Sequence, residues 1–93
     1  MESLKKIASE VAEIVEKKNS DYDEAFKKSY QEYGMYTYCI RIQDKLNRCK
    51  SLTINKYKQQ LVMDENLKDT ITDIMGYSLL MLSILNEGEK QND

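Results

Sequence analysis

MGYSLLMLSIL, residues 75–85, is the most apolar run of the chain, and the fold depends on how it is covered. On a helix, its large apolar side chains point in nearly every direction; they are Leu79, Leu80, Met81, Leu82, Ile84 and Leu85. A helix that is apolar on every side is buried on every side, whereas a chain of 93 residues has only a thin core. The run therefore predicts a helix packed between other helices, with a second copy of the chain covering the remainder. It is too short for a membrane span, which needs about 20 residues.

The composition predicts an all-α protein. Apolar residues make up 41% of the chain and charged residues 32%, with three glycines and neither Pro nor Trp. Signals for strands and tight turns are therefore few. We expect a single domain over residues 1–93, built as a small bundle of three to four helices with a long C-terminal helix. Its tail, from about residue 88 to 93, is expected to be disordered, and the domain is expected to form a homo-oligomer.

The charge and the cysteines limit the classes of function. A formal net charge of −2 without a Lys/Arg-rich run gives no electrostatic footprint for DNA or RNA. Cys39 and Cys49 are too far apart on one predicted helix for a disulfide, which indicates reduced thiols in the cytoplasm. No signal peptide is recognised before the first helix. Because the chain has no histidine, carboxylates would hold any metal, which points to Mg²⁺ or Mn²⁺.

Hydrophobic periodicity places the first two helices. Apolar residues spaced three and four apart predict an amphipathic helix over residues 2–18. A second, short helix is expected to have Ser20 or Asp21 as its N-cap, to turn Phe26 inward, and to end at Gly34.

The second half of the chain is expected to hold two longer helices. A third helix, over about residues 35–50, has an apolar stripe that we expect to form its core face: Met35, Tyr38, Cys39, Ile42, Leu46 and Cys49. Residues 51–63 have no clean period and are expected to form a loop or a short helix. Asp64 is the expected N-cap of a last helix over about residues 65–87.

Two charged stripes lie on these helices. Residues spaced i, i+3, i+4 and i+7 share one side of the third helix, and they are Arg41, Asp44, Lys45 and Arg48. Residues spaced by four share one side of the last helix, and they are Glu65, Asp69 and Asp73. The basic stripe either pairs with the acidic one or clamps phosphates, because the guanidinium fork suits bidentate phosphate contact. The acidic stripe is either a solvated or paired surface or a site for one or two Mg²⁺ ions.

Three polar motifs, in order along the chain, resemble the nucleotide-modification-associated domain type 1 family, a small domain found widely in phages. The first motif is Lys18, Asn19, Asp21 and Tyr22, the second is Arg41, Asp44, Lys45 and Arg48, and the third is Asp64, Glu65, Asp69, Thr70, Asp73 and Tyr77. The resemblance covers residues 8–85 and departs from the family pattern at Asp23, where Gly is expected. The family name implies a link to nucleotide metabolism without stating an activity.

A second similarity is to the MazG-like all-α nucleotide pyrophosphohydrolases, which hold Mg²⁺ between E-x-x-E on one helix and E-x-x-D on a later one. Glu13 and Glu16 supply the first pattern. The later helix differs, because its carboxylates are spaced by four.

The favoured hypothesis is a phage-type module that captures a small-molecule nucleotide in pockets at helix or subunit interfaces. The ligand would be a phosphorylated nucleotide, such as a cyclic or ADP-ribose-like immune signal, sequestered in the host cytoplasm away from DNA, RNA and membranes. Its phosphates are assigned to Arg41, Lys45, Arg48 and Lys18, and its base or ribose to Asn19, Asp21, Tyr22 and Tyr77. Orienting or metal-binding roles are assigned to Asp44, Glu65, Asp69 and Asp73. Binding is expected to need no cofactor, and no residue is assigned as catalytic.

Two alternatives remain open. The first is a Mg²⁺-dependent nucleotide (pyro)phosphohydrolase, whose metal would be held by Glu13, Glu16, Glu65, Asp69 and Asp73. The second is a helical interaction protein in which the charges only hold subunits together.

Overall fold

Four helices make up the described part of the chain. The computed structural model describes residues 3–54 and 60–91, and the side chains of these residues except 19–23, 60–64 and 89–91. The helices are α1 (Leu4–Lys17), α2 (Asn19–Tyr33), α3 (Tyr36–Ile54) and α4 (Gln60–Gln91). No strand occurs in these ranges, so the predicted all-α class and the long C-terminal helix are confirmed. None of the described helices is long and apolar enough to cross a membrane.

The first two helices are separated by one residue. Ser3 caps α1 by accepting a hydrogen bond from the backbone N–H of Lys5. Lys18 then ends α1 and directly precedes α2, so the prediction that Ser20 or Asp21 caps the second helix is wrong. Gly34 ends α2 as predicted: it adopts a φ of 67°, and its N–H donates to the Tyr30 carbonyl at 2.7 Å. This left-handed conformation is one that glycine adopts without steric cost.

The last two helices are longer than predicted. α3 runs on to Ile54 and α4 already begins at Gln60, so Asp64 lies inside α4 and is not its N-cap. In the stretch predicted as a loop or a short helix, residues 51–54 belong to α3 and residues 60–63 to α4, whereas residues 55–59 lie outside the described part of the chain. Thr53 is accommodated because its hydroxyl donates to the Cys49 carbonyl at 2.8 Å. At the other end α4 continues past the predicted end at residue 87, to Gln91.

The helices pack around α4. α3 runs antiparallel to it, since Tyr38 pairs with Ser78 while Lys45 pairs with Asp73. The main buried cluster is Phe26, Leu80 and Met81, with Val15, Tyr30, Tyr38, Tyr77 and Ile84 packed against it. This confirms that Phe26 turns inward and that other helices cover part of the apolar run in α4.

The predicted core face of α3 is only partly correct: Tyr38 packs against the core cluster, and Ile42 and Cys49 are half-buried. Met35, Cys39 and Leu46 are exposed, and the buried residues of α3 are Thr37 and Leu52. The reason is a rotation of the helix: the side that meets α4 is the one carrying Tyr38, Arg41 and Lys45. The apolar stripe is thereby turned to the flank of the α3–α4 pair.

The hydroxyl contact between α3 and α4 supplies a test of their register. Ser78 Oγ donates to the Ile74 carbonyl at 2.8 Å, and its single proton is then used. Tyr38 must therefore donate its own proton to Ser78 Oγ, at 2.7 Å. We expect Tyr38→Phe to lower the free energy of unfolding by about 1 kcal/mol, measured by urea denaturation followed by circular dichroism. Tyr36→Phe is the control, because this tyrosine is 75% exposed on the same helix. Equal losses in both variants would contradict the pairing.

The close approach of α1 to α4 supplies a second test. A Cβ placed on Gly76 would lie 3.2 Å from Val15 Cγ2, whereas a Cβ on Gly88 would meet nothing within 4 Å. We expect Gly76→Leu to lower the free energy of unfolding by about 1–3 kcal/mol, because α1 must move away. The matched variant Gly88→Leu should be neutral or stabilising, by up to about 1 kcal/mol, through its better helix propensity. Unfolding curves that change equally for both variants would show that α1 does not pack closely at Gly76.

Candidate functional site

The candidate site is formed where α3 and α4 face each other across their middle turns. Arg41 and Lys45 are one turn apart on α3, and Asp73 and Tyr77 are one turn apart on α4. The antiparallel packing brings the two pairs together: Lys45 Nζ lies 3.1 Å from Asp73 Oδ2. The Arg41 guanidinium carbon lies 5.9 Å from the centroid of the Tyr77 ring, a cation–π distance.

The end of α1 completes this group of side chains. A groove with a cavity volume of about 50 Å³ lies between α1 and α4, and Lys18 lines it together with Asp73 and Tyr77. Its apolar wall is formed by Val11, Ile14, Val15 and Leu80. The groove exists because Gly76, which also lines it, lets α1 approach α4 closely. We call the set Lys18, Arg41, Lys45, Asp73 and Tyr77 the basic cluster.

The basic cluster unites residues from all three polar motifs within one chain. Lys18 comes from the first motif, Arg41 and Lys45 from the second, and Asp73 and Tyr77 from the third. Among its five residues, the cluster has three basic side chains and one carboxylate. Basic side chains that are grouped in this way can attract anions.

The ion pair within the cluster is only partly shielded from water. The Lys45 side chain is 30% exposed and the Asp73 side chain is 50% exposed. A pair at this level of exposure contributes little to stability, of the order of 0–1 kcal/mol. The pair places Lys45 beside Asp73, which lines the groove.

The ring of Tyr77 contacts Phe26 as well as Arg41. Phe26 of α2 lies 5.8 Å from it between centroids, at an interplanar angle of 32°. Because the Phe26 side chain is buried and holds one part of the Tyr77 ring, the ring is preorganised before any ligand arrives.

The other predicted residues of the two charged stripes lie outside the basic cluster. Arg48, Asp44, Glu65 and Asp69 are exposed, and none of them forms a salt bridge with another residue whose side chain the structure describes. The acidic stripe is thus paired through Lys45 and Asp73, and neither Arg41 nor Arg48 takes part in that pairing. Asn19, Asp21 and Tyr22 belong to the first turn of α2, but their side chains lie outside the described part of the chain.

A metal centre finds no support in the described side chains. Within them no group of three or more Asp, Glu or Cys residues could hold a metal ion. Glu13 and Glu16 are exposed on α1, and Asp73 is the carboxylate that lines the groove. Glu13, Glu16, Glu65, Asp69 and Asp73, which were predicted to hold Mg²⁺, therefore do not form a group of three or more that could bind a metal ion in the described part of the chain.

Sequence reasoning missed two residues near the site. Gly76 stands in an apolar helix, where its role in admitting α1 depends on a partner that the local sequence does not specify. Thr37 lies one turn before Arg41, is only 6% exposed, and has an Oγ1 without a hydrogen-bond partner among the described residues. It lies four residues before Arg41 and eight before Lys45, and this spacing is the signal that would have extended the stripe to it.

Comparison with known proteins identifies the family of the chain. No curated protein and no solved structure is significantly similar to the chain. The family model described as nucleotide modification associated domain 1 matches residues 18–85. That range begins at Lys18 and includes every residue of the basic cluster. The chain therefore belongs to the nucleotide modification associated domain 1 family.

Proposed function

We propose that the protein captures a phosphorylated nucleotide at the basic cluster and holds it without turnover. The observation that carries this proposal is that Arg41 lies over the Tyr77 ring and Lys45 lies beside Asp73. Asp73 and Tyr77 in turn line one groove together with Lys18. Cations beside an aromatic face are what a nucleotide requires, because it combines anionic phosphates with a flat base. The family's association with nucleotide modification supports the same class of ligand.

The phosphates would lie along the basic stripe of α3. Arg41 and Arg48 offer planar forks for bidentate contact, and Lys45 adds a point charge between them. Arg48 is exposed and has no salt-bridge partner among the described side chains, so a ligand would not have to displace one. Lys45 would exchange part of its exposed contact with Asp73 for a phosphate. Asp44, on the same stripe, would orient the arginines.

The base or ribose would lie toward the groove. A cavity of about 50 Å³ is smaller than the ~300–1,000 Å³ of typical pockets for small molecules, so only one group of the ligand fits inside. Tyr77 and the apolar groove wall would contact that group, with Lys18 at the rim. Asn19, Asp21 and Tyr22 directly follow Lys18 in the chain, and we assign them to the same part of the ligand.

We infer capture without turnover from the described side chains of the cluster. Lys45 pairs with Asp73 in a salt bridge, and the five residues of the cluster include no Ser, Thr or Cys nucleophile. A module of this kind sequesters its ligand. We extend the proposal to a phage-type role in which the ligand is a cyclic or ADP-ribose-like immune signalling nucleotide in the host cytoplasm.

The first test uses arginine variants in calorimetric titrations with linear, cyclic and ADP-ribose-type nucleotides. Each charged hydrogen bond contributes about 1.5–3 kcal/mol. We therefore expect Arg41→Ala and Arg48→Ala each to weaken binding of the nucleotide that binds wild type by at least about tenfold. Lys50→Ala is the control, because this exposed cation lies on α3 but off the basic stripe. Full affinity in the Arg48→Ala variant would contradict the assignment of phosphate binding to Arg48. A tenfold loss of affinity in Lys50→Ala would show that the losses reflect the net charge of the protein and not a specific phosphate site.

The second test separates capture from hydrolysis. We expect the same nucleotide to bind equally well with Mg²⁺ and with excess chelator, because the described cluster supplies cations and no set of metal ligands. The nucleotide should also be recovered intact after the protein is denatured, as shown by chromatography. Conversion to new products only in the presence of Mg²⁺ would replace the capture proposal with the (pyro)phosphohydrolase alternative.

A further inference from the structure

One side of the α3–α4 pair is apolar and uncovered. Five large side chains on it are between 40% and 57% exposed, namely Met35, Leu46, Ile71, Leu82 and Leu85. Cys39 is also exposed there, and Ile42 and Met75 are half-buried. We call the five large residues and Cys39 the apolar face.

Helical geometry places the apolar face away from the basic cluster. Successive residues of an α-helix are separated by about 100°. On α3, Leu46 therefore lies about 100° to one side of Lys45, and Asp44 lies about 100° to the other side. On α4, Ile71 and Leu82 lie about 120–140° around the axis from Gly76, which faces α1. Because α3 and α4 are antiparallel, these flanks fall on the same side of the pair.

The two other helices do not cover this side. α1 meets α4 at Gly76, and α2 meets it at Tyr77, so both lie on the flank that carries the groove. On α4 the apolar face lacks charge, since the chain has no charged residue from Ile74 to Asn86. On α3 the exposed Lys50 lines the same pocket as Leu46. An exposed side of two packed helices that is mainly apolar is expected to meet a partner.

The total surface of the chain is large for its mass. The chain exposes 7557 Å², whereas a compact monomer of its mass exposes about 5,600 Å². Its radius of gyration is 15.3 Å, against about 12 Å for a compact domain of this length. The excess of about 2,000 Å² is larger than the ~800 Å² that one partner buries in a standard interface. A second copy of the chain offers the same apolar face and the area needed to cover it.

We propose that two copies of the chain pack their apolar faces together about a two-fold axis. The α3–α4 pair of one protomer meets that of its partner, and the four helices form a bundle whose core is supplied by both chains. The basic clusters then lie on the outer sides of the dimer and remain open to ligand. This interface is independent of the proposed nucleotide binding.

The test is the molar mass in solution, measured by light scattering and sedimentation at micromolar concentration. Wild type should have twice the chain mass of 10.9 kDa, or an even multiple of it. Leu46→Glu and Leu82→Glu should each reduce the mass to that of one chain, because a charge would then be buried in the interface. Both positions are about half exposed in the single chain, so the helical circular dichroism should persist.

The control is Leu4→Glu, which introduces the same charge at a residue of α1 that is 81% exposed. This variant should keep the mass of wild type. A monomeric wild type, a mass of three chains, or dissociation by Leu4→Glu without dissociation by Leu46→Glu and Leu82→Glu would each overturn the proposal.

A second measurement does not depend on disrupting the interface. In a Cys49→Ser background, Cys39 is the remaining thiol and lies on the apolar face. Its rate of reaction with a maleimide should fall severalfold as the protein concentration rises through the dimer dissociation constant. The rate should be independent of concentration when Leu82→Glu is added. A rate that is independent of concentration in both proteins would place Cys39 outside the interface and contradict the assignment of the face.

Discussion

Three consecutive residues of α4 make the contacts on which the other helices depend. Gly76 admits Val15 of α1, Tyr77 packs on Phe26 of α2 and lies under Arg41 of α3, and Ser78 accepts the Tyr38 hydroxyl proton. Because each residue turns the helix by about 100°, three in a row reach three different neighbours. The middle of α4 is therefore the point at which the positions of all the other helices are set.

The same turn of α4 also builds the candidate site. Tyr77 is at once a core contact and the aromatic member of the basic cluster, and Gly76 forms part of the groove wall. Packing and recognition thus share side chains. A ligand group held against Tyr77 would meet a ring that Phe26 already restrains, so little conformational entropy would be lost there on binding.

The sequence predicted where the helices lie along the chain better than it predicted which side of each helix is buried. Period and composition identified the helical class, the stop at Gly34 and the inward position of Phe26, because these depend on local properties. The core face of α3 was mispredicted at Met35, Cys39 and Leu46, which are apolar but exposed. The candidate residues were identified by spacing for Arg41, Lys45 and Asp73, and by the family resemblance for Tyr77. Their convergence could not be predicted, because it depends on the register between α3 and α4, and that register is set by contacts such as Tyr38 with Ser78.

The two sides of the α3–α4 pair have opposite chemistry, and the thin core explains why this matters. The buried hydrophobic residues among those described are Val11, Phe26, Leu52, Leu80 and Met81. So few buried side chains leave a small margin over the conformational entropy lost on folding. Apolar area buried between two chains would increase the free energy of unfolding. Because association depends on mass action, this stability would rise with protein concentration. α3 and α4, which carry Arg41, Lys45, Asp73 and Tyr77, would then be stabilised by contacts at the apolar face. A ligand at the basic cluster would not compete for the residues of that face.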